Sequence, residues 1–143
     1  MRTSAGPTGT LRPRDRVELL SIGQGAYYAA TGAWALADID SFQAVTGPKV
    51  DQWLVKTVGV LVAVIGGTLG LSGWRRRVTP EIRLLAVGSA LRLAGIDVYY
   101  VARGKIARVY LLDAAAELAL AAAWYAPEGP RGAAGTGPEG GLP

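Results

Sequence analysis

The stretch from Trp53 to Trp74, WLVKTVGVLVAVIGGTLGLSGW, carries no charged residue between Val58 and Leu71. Wound into an α-helix, these residues span about 33 Å, enough to cross the hydrocarbon core of a bilayer. A strand is excluded because polar and apolar residues do not alternate. A helix on the surface of a water-soluble bundle needs a polar outer face, and this segment has none. The stretch therefore constrains the chain more than any other feature. It must lie in lipid or be enclosed by far more protein than 143 residues supply.

Three further segments approach the same length: Val17–Ala37, Ile82–Ala102 and Ala107–Ala126. The sequence thus predicts an all-α fold, a single up-down bundle of four transmembrane helices at about 17–37, 53–74, 82–102 and 107–126. Residues 1–16, rich in Gly, Pro, Thr and Arg, are expected as a disordered basic arm. Residues 127–143 hold four Pro and six Gly and are expected as a disordered tail. Residues 38–52 are expected as a polar loop, with Gly47-Pro48 fixing a turn and Asp51 placed to cap the second helix.

The formal charge of +4 is sided along the chain and does not form a nucleic-acid stripe. Arg2, Arg12, Arg14, Arg16, Arg75, Arg76, Arg77, Arg83 and Arg131 flank one side of the bundle. Lys49, Lys56, Arg103, Lys105 and Arg108 flank the other. Nine against five places both termini in the cytoplasm, with membrane lipids as neighbours and no nucleic-acid partner. Trp34, Trp53, Trp74 and Trp124 suit interfacial belts. The Arg-rich start and Ala35-Leu36-Ala37 also resemble a secretory signal with its cleavage site. The apolar stretch is longer than such signals carry, and Gln24, Tyr27 and Tyr28 interrupt it, so an uncleaved helix is expected.

Chemistry is restricted by what is missing. The chain has neither Cys nor His, which removes disulfides, thiolate nucleophiles, His-based triads and the usual zinc and haem ligand sets. No metal or cofactor is expected. The ionisable residues of the apolar segments are Lys56, Arg92, Asp97, Asp113 and Glu117. Such residues face a protein interior and mark binding sites or ion pairs. Arg92 and Glu117 each lie about 18 Å from the turn between the last two helices, which predicts a midplane Arg92–Glu117 pair. Asp113 and Glu117 share a face with Tyr110, Ala121 and Trp124; Ser21, Gln24, Tyr28, Thr31 and Asp38 form a polar stripe on the first helix. The expectation is a polar vestibule, open on the outer side, with Gln24, Tyr28, Lys56, Arg92, Asp97, Asp113 and Glu117 as ligand-binding residues.

Helices in lipid associate through small residues, and Gly59, Gly66 and Gly73 recur at intervals of seven, with Gly66 and Gly70 forming GxxxG. This track serves either packing within the bundle or contact with a partner membrane protein or a second copy.

The stretches SFQAVTGPKVDQWLVKTVG, LAVGSALRLAGIDVYYVARGKI and YLLDAAAELALAAAW resemble a bacterial family of small four-helix integral membrane proteins, and in size and layout the DoxX-like superfamily. The resemblance covers about residues 17–126 and implies a fold without an activity. Three functions then compete. The first is a non-enzymatic structural or accessory subunit that packs against other membrane proteins. The second is a binder or carrier of a small amphipathic or lipophilic molecule in the vestibule. The third, with least support, is an enzyme using carboxyls and tyrosines as acid and base.

Overall fold

The structure, a computed structural model, describes residues 12–126. The remaining residues of the expected arm and the whole tail lie outside the described residues. The described chain is all-helical, with five helices and no strand: α1 Pro13–Ala37, α2 Ile39–Thr46, α3 Gln52–Trp74, α4 Pro80–Ala102 and α5 Tyr110–Tyr125. Two of them, α3 and α4, are long and apolar enough to cross a membrane.

The four long helices fall within a few residues of the expected segments, and the departures have local causes. α1 starts four residues early, at Pro13, with Asp15 in its first turn near the positive end of the helix dipole. α2 interrupts what the sequence suggested was a loop. Asp38 ends α1 with extended dihedrals, and its carboxylate accepts from Ser41 N at 3.0 Å to start α2. The Ser41 N–H, and then its hydroxyl, hold the Asp38 carboxyl below the ordinary carboxylate range. Phe42 of α2 is buried edge-to-face against Trp34, with ring centres 5.4 Å apart. Asp51 does not cap α3: its side chain makes no cap hydrogen bond, and its backbone carbonyl accepts from Leu54 and Val55 instead.

Both interhelical turns on the long hairpins close with paired backbone bonds that satisfy the last carbonyls. After α4, Lys105 N donates to Tyr100 O and Gly104 N to Val101 O, with Gly104 at φ 65°. After α3 the same pattern joins Arg77 N to Ser72 O and Arg76 N to Gly73 O. Here the left-handed position is Arg76, at φ 56°, where a glycine would be unstrained. Arg76 also reaches Glu18 of α1, with Nε 3.5 Å from Oε2.

The helices form two close pairs, α1 with α3 and α4 with α5, while α1–α5 and α3–α4 backbones meet at few points. The α1–α3 pair is built on glycine. A Cβ at Gly66 would lie 2.6 Å from Gly25 O, and one at Gly73 would lie 2.7 Å from Glu18 O. Gly59 is likewise buried, against Gly32. Gly59, Gly66 and Gly73 thus pack within the chain, whereas side chains at Gly67 and Gly70 would meet open space. On α4 the small residues Ala86, Ala90 and Ala94 are buried, and on α5 Ala114 and Ala121.

The two pairs are joined mainly by polar side chains of α1. Ser21 Oγ donates to Leu69 O of α3 at 2.7 Å within the first pair, and Gln24 Nε2 crosses to the second, donating to Ala86 O of α4 at 2.8 Å. Trp124 Nε1 of α5 donates to Gln24 Oε1 at 2.7 Å. Arg16 donates to Ala123 O at 2.9 Å and Ala126 O at 3.2 Å, capping the C-terminus of α5. An apolar cluster of Tyr28, Leu69, Ala86, Val87 and Trp124 fills the bundle at the end where α1 begins.

Several polar side chains are buried while many large apolar ones are exposed. Ser21 and Gln24 are fully buried and Glu117 is 1% exposed, whereas Leu61 is 58%, Val64 61% and Leu84 73% exposed. Only 17% of the most apolar window of α3 is buried inside the bundle. Scattered exposed leucines are ordinary; here they accompany hydrogen-bonded polar residues in the interior.

Candidate functional site

Between the two helix pairs, towards the α2 end, lies a cavity of about 360 Å³. Its existence follows from the packing. Glycines bring α1 and α3 together, α4 and α5 form their own hairpin, and the bulky Tyr27 and Tyr28 hold the pairs apart where no apolar side chain fills the gap. The walls are mostly apolar, from Ala35, Val58, Val62, Leu93 and Ile96, and Phe42 of α2 and Lys49 stand at the α2 end.

Three carboxyls line the cavity: Asp97 of α4, and Asp113 and Glu117 of α5. Their convergence is a matter of helical phase. Asp113 and Glu117 are four apart and so share one face of α5. Asp97 and Asp113 are equidistant from the α4–α5 turn and meet across the hairpin. From α1, Tyr28 Oη donates to Glu117 Oε2 at 2.7 Å, and Tyr27 Oη donates to Asp113 Oδ1. Asp97 is 6% exposed, and its Oδ2 is buried with no hydrogen-bond partner. Near the mouth, Lys49 Nζ donates to Thr46 O at 3.0 Å and lies over the Tyr110 ring, 4.8 Å from its centre.

Of the expected ligand-binding residues, Tyr28, Asp97, Asp113 and Glu117 come together here. Gln24 does not reach the cavity; both ends of its amide are engaged below it with Ala86 and Trp124. Lys56 is exposed on α3. The Arg92–Glu117 pair does not form: Arg92 is exposed, and Glu117 is satisfied by Tyr28. Among the described residues the ion pair that forms is Arg76–Glu18, far from the carboxyls. Arg92 instead lines a second, shallower hollow with Glu81, Ser89 and the far side of Tyr28. Tyr27 belongs to the site without having been singled out, and Lys49, which the sequence places beside the vestibule, stands at its α2 end. Tyr27 had one legible signal: it lies four before Thr31, next to Tyr28, on the polar stripe of α1.

The arrangement offers fixed hydrogen-bond acceptors, two tyrosine hydroxyls and an apolar enclosure. Among the described residues no group of three or more acidic side chains is close enough to hold a metal ion. Together, fold and site define an all-helical bundle with a polar, carboxyl-bearing cavity inside an apolar exterior. No family model, curated protein or solved structure matches the chain.

Proposed function

We propose that the chain is an integral membrane protein of four transmembrane helices, α1, α3, α4 and α5, that binds a small amphipathic molecule in the cavity between its helix pairs. The observation that carries this reading is the inverted exposure: Gln24, Tyr28, Asp97 and Glu117 inside, Leu61, Val64 and Leu84 outside. In lipid, helices gain nothing by hiding leucine from one another, so polar contacts and small residues hold the bundle. Ionisable residues at that depth are costly unless they serve a site. By the excess of Arg beside α1, the α3–α4 turn and the tail, both termini lie in the cytoplasm and the cavity opens outward, near α2. A pocket of this size, mostly apolar with a few fixed polar groups, is of the kind that takes small ligands.

Photolabelling tests the reading. The chain is reconstituted in nanodiscs with an octanol bearing a diazirine, and adducts are located by mass spectrometry. Adducts on Tyr27, Val58 and Glu117 that excess octanol displaces are expected. Adducts confined to lipid-facing residues such as Leu61, Val64 and Leu84 would rule the cavity out as a binding site.

A second reading, an accessory subunit that packs on other membrane proteins, has Gly67 and Gly70 in its favour, since side chains there would meet open space. The rest of its glycine track, Gly59, Gly66 and Gly73, is taken up by α1. The ligand reading is preferred for that reason.

A further inference from the structure

We infer that the cavity takes an organic cation: an ammonium group carried on an apolar tail, with the nitrogen held between Asp97, Asp113 and Glu117. The inference rests on the cavity being a binding site and adds the charge of what it binds.

Three carboxyls line one cavity, and no Lys or Arg of the described residues forms an ion pair with any of them. The nearest candidate, Lys49, is engaged by Thr46 O and the Tyr110 ring at the mouth. Arg92, which by its depth should neutralise Glu117, points away from the cavity and is exposed. The acids are partly satisfied from one side only. Tyr27 and Tyr28 each donate one hydrogen bond, to Asp113 and Glu117, and so orient those carboxyls from the α1 side. Asp97 Oδ2 has no donor although the residue is more than nine-tenths buried. A buried acceptor without a partner is costly, and an N–H donor arriving with the ligand would satisfy it.

The rest of the cavity selects the remainder of the molecule. Its walls from Val58, Val62, Leu93 and Ile96 suit an alkyl or aryl tail, and the tyrosine faces suit a cation. A bare metal ion is the wrong match, because no three of the acids converge closely enough to coordinate one. An anionic amphiphile would meet like charge in a low dielectric.

The test is competition in the same photolabelling assay, using three eight-carbon competitors at pH 7.5: octylammonium, octanol and octanoate. Because charged and neutral chains partition differently into lipid, each is compared on the wild type and on Asp97→Asn in identical nanodiscs. The expected result is that octylammonium displaces the cavity adducts from the wild type about tenfold or more better than from Asp97→Asn, the scale of one charge-assisted hydrogen bond. Octanol should distinguish the two proteins little, and Asp97→Glu should restore the ammonium preference. If octylammonium and octanol lose equally in Asp97→Asn, or octanoate competes best, the cation inference is overturned while the binding site stands. If no adduct forms in the cavity at all, both fail. Should Asp97→Asn not fold, Asp113→Asn in the same comparison gives the same two outcomes.

Discussion

Replacing Gly66 with alanine adds one methyl at a point of close approach between α1 and α3. That methyl would lie 2.5 Å from Ala29 N, 2.6 Å from Gly25 O and 2.9 Å from Tyr28 Cβ. Two of these atoms are backbone and the third is bonded to it, so no flexible side chain can swing aside. The helices must separate by several tenths of an ångström. Overpacking of this kind costs about 1–3 kcal/mol. Alanine also returns roughly 0.5–1 kcal/mol of helix propensity relative to glycine. Gly67, one residue on, provides the control: a methyl there has nothing within 4 Å and keeps only the propensity gain. Gly66→Ala should therefore be less stable than Gly67→Ala by about 1–3 kcal/mol, because the propensity gain cancels between them. Reversible unfolding in mixed detergent micelles, followed by tryptophan fluorescence, measures the difference. Equal stability of the two variants, or a more stable Gly66→Ala, would refute the glycine-mediated α1–α3 contact. The effect should also reach the cavity, since Tyr28 sits on the same stretch of α1 and would carry its hydroxyl away from Glu117.

Other perturbations follow from the same geometry. Tyr28→Phe removes the donor to Glu117 and leaves a buried carboxyl under-satisfied, an expected loss of about 1–3 kcal/mol in the same unfolding assay; unchanged stability would mean that the bond contributes nothing. Lys56→Gln and Arg92→Gln should leave photolabelling of the cavity unaltered, because both side chains are exposed and neither lines it; a loss of labelling in either would contradict that placement. Asp38 has a depressed carboxyl pKa in the folded chain, so its cap is fully present above the ordinary carboxylate range and is lost as pH falls through the folded value. Amide protection factors, normalised to the intrinsic exchange rate at each pH, should then fall in acid over residues 41–46 while those of residues 86–94 of α4 hold, and a uniform fall would count against a local cap.

Much of the fold was legible because lipid-length apolar segments carry a strong signal, and α3 and α4 begin within one or two residues of the sequence boundaries. α2 was not legible: eight residues beginning Ile39-Asp40-Ser41 look like loop composition, and their helix depends on a cap from Asp38 and on burial of Phe42 against Trp34. The carboxyl cluster was legible because a spacing of four on α5 and equal distances from the α4–α5 turn place Asp97, Asp113 and Glu117 correctly. The Arg92–Glu117 pair failed because distance from a turn gives depth and not direction. The buried face of α4 runs through Ala86, Ala90, Ala94 and Asp97. Arg92 is two residues past Ala90, about 200° around the helix, and so points away. The same phase argument, applied to the sequence, favours Tyr28 as the partner of Glu117 only once the α1–α5 contact is known.

The central claim is a lipid-embedded bundle whose cavity end lies outside and whose termini lie inside. The chain has no cysteine, so single introduced thiols report its sides without background. Ala44→Cys probes exposed α2, and Arg75→Cys probes the exposed turn after α3. In intact bacterial cells, a membrane-impermeant maleimide should label Ala44→Cys directly and Arg75→Cys only after permeabilisation. Labelling of both positions from the same side, or recovery of the chain in the soluble fraction, would contradict the account.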